Sequence, residues 1–313
     1  LRKALIIRAS KKEFDCRIDS QEEVIKAQAL GNLLRGENSL VVGDWILLDD
    51  DDVITKRLER ENEIFRFLQR ESKKKVSAAN CQRMVILTSV SRPEYKSGLV
   101  DRFLVRALQW QVKPLVVFNK MDEHDPEVVD LAFEALRFRH LEIDCFEVTC
   151  EDPNYKPKYL SYGLPELKNE LEEKTTIFMG QSGVGKSSII NMLSSGELDL
   201  KTKSVGRGGK GSHTTTWTEI IDVGPFRLMD SPGIRSFSLE DLNPQELIEY
   251  FPDLEELSVR CKFRDCQHEQ DSKGCAFAKL GDSLEDQALR SRLESYKKIR
   301  SEVSATPAWA KKI

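Results

Sequence analysis

The chain has 313 residues, 40% hydrophobic and 32% charged, which is enough for two or three domains of ordinary globular composition. No run of about 18 apolar residues occurs, which excludes a transmembrane helix. A formal net charge of −4 excludes a chain that coats nucleic acid by bulk charge, so any RNA contact must come from local patches such as Lys73-Lys74-Lys75 or Lys201 to Lys210. The alternative for such runs is a solvated face.

Residues 1–72 read as a small β-barrel. Short strand candidates at Ala4–Ala9, Phe14–Ile18, Val41–Leu48 and Val53–Leu58 are separated by polar turns, including the acidic turn Asp49–Asp52. Such a set suggests an OB-like barrel, and SH3-like barrels give a similar pattern. The charge-rich stretch 59–75 reads as a linker or a helix end. The opening LRKALIIRAS has too short an apolar stretch for a signal peptide. Cys16, Cys81, Cys145 and Cys150 are scattered and fit buried free thiols in a reducing compartment. A cytoplasmic location is expected, or an organelle interior if a transit peptide has been removed.

From residue 73 the texture becomes strand alternating with helix, the pattern of a parallel sheet covered on both faces. Strands are expected at Arg83–Thr88, Leu115–Phe118, Cys145–Thr149, Thr175–Met179 and Phe226–Met229, and helices at Leu99–Trp110, Pro126–Phe138 and Leu164–Glu173. Asn119-Lys120-Met121-Asp122 closes a buried strand and reads N-K-x-D. A carboxylate at Asp122 would accept from the guanine N1–H and exocyclic amine, a donor pair that adenine lacks, while the Lys120 stem would pack over the base. The next strand ends at Thr149-Cys150, a second candidate base-contacting loop.

Gly180 to Ser187 reads G-x-x-x-x-G-K-[ST] and follows an apolar strand. Backbone N–H groups from Gly180, Gly183, Val184 and Gly185 would turn inward around phosphate oxygens. Lys186 would reach the β- and γ-phosphates, Ser187 would ligate Mg²⁺, and Ser188 would open the helix whose N-terminus faces the anion. The Gly- and Lys-rich stretch 201–213 leads to Thr214-Thr215-Thr216. Thr215 is taken as the second Mg²⁺ ligand, with its neighbours as alternatives. His213 beside it either positions water or is a solvated bystander. Asp230-Ser231-Pro232-Gly233 follows a strand; Asp230 fits a Walker-B role and Gly233 can offer its N–H to the γ-phosphate. Ile234 comes next instead of a water-orienting Gln, so slow intrinsic hydrolysis and an external activator are expected. The motif order is inverted relative to an ordinary GTPase, with the guanine motif ahead of the phosphate loop. That order reads as a circular permutation spanning residues 73–252.

After Pro252 comes a segment with Cys261, Cys266, His268 and Cys275, the ligand count and softness of a closed tetrahedral zinc site. A charged helical stretch at Ser283–Val303 completes a mainly helical zinc-binding domain, residues 253–313. The fold expected is therefore multidomain: an OB-like barrel, a central α/β circularly permuted P-loop GTPase, and the zinc-binding end.

Taken together, these residues resemble the ribosome-small-subunit-dependent GTPase family (RsgA, also called YjeQ), over nearly the whole chain. Gly211-Ser212-His213-Thr214-Thr215-Thr216 is similar to its Gly-Arg-His-Thr-Thr-Thr, and Ala78-Ala79-Asn80 to the opening of its GTPase domain. Ser212 for Arg, Gln82 or Arg83 for an acidic residue, and Thr149-Cys150 for Ser-Ala are departures. The resemblance implies hydrolysis of GTP to GDP, stimulated by the small ribosomal subunit late in its maturation. It also implies Mg²⁺, one structural zinc, contacts of barrel and zinc domain with ribosomal RNA, no membrane, and a monomer. The competing readings are a permuted GTPase acting on another RNA or the large subunit, and a GTP-gated RNA-binding switch with negligible turnover. The permutation also has a mechanical reading: Asp230–Gly233 connects directly to the zinc domain, so γ-phosphate could bias that domain's position.

Overall fold

The structure is a computed structural model and describes residues 1–313 except 11–12, 20, 22, 34–38, 69–72, 195–217, 231–238, 240, 270–271 and 306–313. Among the described residues no helix is long and apolar enough to cross a membrane.

The first five strands are β1 (Arg2–Ala9), β2 (Glu13–Ile18), β3 (Val24–Ala29), β4 (Trp45–Leu48) and β5 (Val53–Arg57). They pair in the order β1-β2-β3-β5-β4, and β4 returns to β1, so the ring closes with β3 and β5 parallel. This is the connectivity of an OB-like barrel. Alternating residues Ala4, Ile6, Phe14, Cys16, Ile46, Leu48 and Ile54 are buried at its centre, the period-2 signature of strands with one covered face.

The stretch expected as linker or helix end is instead a two-stranded hairpin, β6 (Glu63–Leu68) with β7 (Lys73–Ala79). Glu63 pairs with Lys74 at 2.7 Å, and the Lys74 ammonium lies 4.2 Å over the Phe65 ring. These cross-strand pairs stabilise the hairpin and occupy one lysine of the run offered as an RNA patch. The hairpin is bound on both sides. Buried Asp44 and Arg60 form a 2.7 Å ion pair toward the barrel, and the Trp110 Nε1–H donates to Phe65 O at 2.9 Å toward the next domain.

The central sheet is ordered β10 (Cys145–Glu147), β9 (Lys113–Asn119), β8 (Arg83–Ser89), β11 (Thr175–Met179), β13 (Arg227–Asp230) and β12 (Glu219–Asp222). All neighbours are parallel except β12 with β13. Helices α1 (Ser97–Gln109) and α2 (Leu131–Arg139) cover one face through Val100, Phe103, Leu104 and Phe138, and α3 (Leu164–Leu171) with α4 (Lys186–Leu193) cover the other through Leu167, Leu171, Ile189 and Leu193. Helix α2 starts at Leu131, later than the pattern implied, because the Asp130 side chain accepts from the Phe133 N–H at 3.0 Å and caps it there. Strand β12 also pairs with barrel strand β1 at Arg8 and Glu219, whose side chains meet at 2.7 Å.

The C-terminal part holds α5 (Pro252–Ser258) and α6 (Leu284–Ala305) around Phe251, Leu254, Phe277, Leu293, Tyr296 and Ile299. Helix α6 packs on both α1 and α2. At that seam Asp101, wholly buried, accepts from Arg137 at 2.6 Å and Arg292 at 2.5 Å, and Arg292 also pairs with Asp253 at 2.8 Å.

Candidate functional site

Because β8, β9, β10, β11 and β13 run parallel, their carboxyl ends lie on one edge, where ligands bind in open α/β sheets. The structure brings together at that edge the guanine motif at the end of β9, Thr149-Cys150 beyond β10, the phosphate loop after β11, and Asp230 at the end of β13. Motifs in inverted sequence order thus converge in space.

The contact between the two principal motifs is direct. Asn119 is buried, and its Nδ2–H donates to the Val184 carbonyl in the phosphate loop at 2.8 Å. Its Oδ1 is buried with no partner among the described residues, so the amide keeps a polar atom beside the loop for a ligand. Gly185 shows why this position needs glycine. Its φ is +97°, and a Cβ there would lie 2.4 Å from Asn119 Nδ2. The Lys186 ammonium donates to the carbonyls of Gly180 and Gln181 at 2.7 and 2.9 Å, which holds it over the mouth of its own loop. Ser187 and Ser188 are exposed at the first turn of α4.

At the N-K-x-D turn, the Thr149 hydroxyl donates to Asp122 Oδ1 and accepts from the Glu151 N–H at 3.2 Å. The Met121 N–H donates to Val148 O at 3.2 Å. These bonds fix the Asp122 carboxylate to the Thr149-Cys150 segment. Lys120 is in the left-handed region, φ +66°, and its ammonium donates to Arg92 O. Burial pushes the Cys150 thiol up to about 11, with Glu151 and Asp122 adding repulsion, so it stays a neutral thiol beside Asp122. Burial likewise raises Cys16, Cys81 and Cys145 to about 12, which leaves them inert, as buried free thiols are. Gln82 and Arg83, one of which was read as standing in place of an acidic residue, make local contacts: Gln82 Oε1 accepts from Thr175 N at 2.7 Å, and Arg83 pairs with Glu170 at 3.0 Å. Thr215, His213, the neighbouring Ser212, Thr214 and Thr216, the basic run 201–210 and Gly233 lie outside the described residues.

The Cys/His cluster is assembled. One ligand atom each from Cys261, Cys266, His268 and Cys275 lies within 4.8 Å of all the others. His268 Nδ1 sits 3.6 Å from Cys261 Sγ and 3.8 Å from Cys275 Sγ, and its ring is held edge-on against Phe277 with centroids 4.7 Å apart. The Ala276 N–H donates to Cys261 Sγ at 3.3 Å, the type of bond that supports a metal thiolate. Burial, opposed by that N–H and reinforced by Cys266 and Cys275, pushes the Cys261 thiol up to about 11. Three soft sulfurs with one imidazole at this spacing are a donor set compatible with tetrahedral zinc.

Sequence reasoning did not single out the buried charges of Glu147 on β10, of the Asp101, Arg137 and Arg292 cluster, or of the Asp44–Arg60 pair. The only signal for Glu147 was a carboxylate in an otherwise apolar strand.

Comparison with known proteins bears directly on this arrangement. Residues 57–240 match the family described as RsgA GTPase. The chain is 32% identical over 278 residues, 85% of its length and 81% of the relative's, to the small ribosomal subunit biogenesis GTPase RsgA of Flavobacterium psychrophilum. It is 30% identical to the Bacillus subtilis protein of that name, with 91% of each chain covered. In fold it resembles YjeQ from Thermotoga maritima (TM-score 0.72, 23% identity, covering 97% of this chain and 99% of that one). It also resembles YloQ, described as a circularly permuted GTPase (TM-score 0.68, 24% identity, covering 97% and 96%). The barrel, the inverted order of motifs and the length of chain matched agree, and the chain belongs to the RsgA GTPase family.

Proposed function

We propose that this protein hydrolyses GTP to GDP and phosphate, that the small ribosomal subunit stimulates the reaction, and that it acts in maturation of that subunit. The observation that carries the proposal is the 2.8 Å bond from Asn119 to Val184, which joins the guanine motif to the phosphate loop. In this reading Asp122 accepts from the guanine N1–H and amine, and Lys120, Thr149 and Cys150 line the base. The N–H groups of Gly180, Gly183, Val184 and Gly185, with Lys186, hold the phosphates. Ser187 and Thr215 are the proposed Mg²⁺ ligands, with Asp230 holding its water shell; when bound, Mg²⁺ neutralises charge on the β- and γ-oxygens. Gly233 donates to the γ-phosphate and His213 orients the attacking water. Cys261, Cys266, His268 and Cys275 hold a structural zinc.

The proposed division of labour follows the three segments 1–72, 73–252 and 253–313, with the first and last contacting ribosomal RNA and the protein working as a monomer in the cytoplasm. The names of the relatives support the small subunit as partner. The decisive experiment is GTP hydrolysis by the purified protein alone, with small subunits, and with large subunits. Stimulation by small subunits only is expected. Stimulation by large subunits instead, or GTP binding with no turnover under any condition, would refute the proposal and favour one of the two alternative readings.

A further inference from the structure

Glu147 takes no part in the chemistry above, yet its carboxylate is wholly buried at the end of β10. Its Oε2 accepts from the Tyr155 hydroxyl at 2.8 Å and the Lys158 N–H at 2.9 Å, and its Oε1 from the Tyr159 N–H at 2.6 Å and the Leu160 N–H. Burying a carboxylate is costly unless its oxygens are fully satisfied. Here all four donors come from one short segment, residues 155–160. Glu147 therefore holds that segment as an anion holds a nest of amides.

The segment touches both halves of the base site. Glu147 stands two residues before Thr149, whose hydroxyl donates to Asp122. From the other side, the Tyr159 ring meets the His124 ring edge-on with centroids 4.8 Å apart, and His124 stands two residues after Asp122. The segment then returns along the outer edge of β10, where the Glu147 N–H donates to Tyr162 O at 2.9 Å. The Asp122 turn and the Thr149-Cys150 loop are thus clamped to one brace.

We propose that Glu147 is a positioning residue for guanine recognition, acting through residues 155–160 to fix Asp122 against the Thr149-Cys150 loop. The proposal rests on the guanine assignment made above. A residue that only filled space under β10 would affect folding stability without changing which base is preferred.

The test compares binding of GDP and IDP to the native chain and to Glu147→Gln, Tyr155→Phe and Tyr159→Ala. IDP lacks the exocyclic amine that Asp122 would read. In Glu147→Gln an NH₂ group faces backbone donors, so the brace loosens and GDP affinity falls about tenfold, with IDP affinity falling less. The GDP-over-IDP preference therefore shrinks. Tyr159→Ala, at a ring 45% exposed, shifts the preference the same way with little effect on folding. An unchanged preference in folded Glu147→Gln would overturn the inference, whatever happens to the melting temperature. If that variant does not fold, an unchanged preference in Tyr155→Phe and Tyr159→Ala overturns it. Failure of the native chain to bind GDP, or of Asp122→Asn to exchange guanine for xanthine preference, would instead overturn the guanine assignment and the brace with it.

Discussion

Two ion pairs join the same two helices, α1 and α6, and they should differ several-fold in worth. Asp101 is wholly buried between Arg137 and Arg292, whose side chains are 0% and 1% exposed. Arg102 pairs with Glu302 at a rim where the glutamate is 57% exposed. Asp101→Asn keeps the volume and removes the charge, leaving two buried guanidiniums facing each other. Removing one partner of a buried pair costs about 3–5 kcal/mol. Arg137 keeps Glu134 at 2.7 Å and Arg292 keeps Asp253 at 2.8 Å, so the lower end, about 3 kcal/mol, applies. Glu302→Gln loses a solvated pair, worth about 0.2–1 kcal/mol. Urea unfolding gives the free-energy differences, and trypsin cleavage at Lys297, Lys298 and Arg300 reports release of α6. Asp101→Asn should unfold at markedly lower urea and expose α6 to trypsin, and Glu302→Gln should barely differ from the native chain. Equal effects of the two substitutions, or a loss below about 1 kcal/mol for Asp101→Asn, would refute the argument that this seam is held by its buried charges.

Gly185→Ala places a methyl 2.4 Å from Asn119 Nδ2 at a φ of +97°, so it disturbs the phosphate loop and guanine motif together. A displacement of roughly 1 Å at a reacting centre costs about a hundredfold, so kcat/KM for GTP should fall by that order; a near-native value would mean the loop and the base motif are not in register as described. Zinc analysis of the purified protein should find about one ion per chain. Its removal by a chelator should loosen the C-terminal core, read as new protease sites between residues 252 and 305. A native protein free of zinc, or one whose metal content survives Cys275→Ser and Cys261→Ser together, would refute the metal assignment.

The site was legible from sequence because its chemistry demands particular residues at strand ends. Asn119, Gly180 and Asp230 each come directly after an apolar run short enough to be a buried strand, Asp122 and Lys186 stand at motif spacing beyond the first two, and the strand Thr175–Met179 was bounded as observed. The β6-β7 hairpin was not legible. Glu63 and Lys74, whose side chains meet across it, are charged, so the period of two was masked and the stretch read as a linker or a helix end. The same bias hid the α1-α6 seam: Asp101, Arg137 and Arg292 are charged residues on helices, and nothing local distinguishes them from a solvent face. Their burial depends on which helices meet, a property of tertiary structure that no local window contains. Strand β3 (Val24–Ala29) was missed because its sequence, VIKAQA, has few β-branched residues and only Ala27 fully buried.

The position of β11 has a consequence for how the chain is made. In the sheet it lies between β8 and β13, yet the ribosome delivers β8, β9 and β10 first and β11 only at Thr175. A nascent chain therefore carries the N-K-x-D half of the site with one flank of β8 unpaired until the central strand emerges and zips into it. An unpaired apolar edge is where strands from neighbouring chains add. Synthesis of this protein thus passes through an interval of exposure that an unpermuted relative, with its phosphate-loop strand made first, would place elsewhere along the chain.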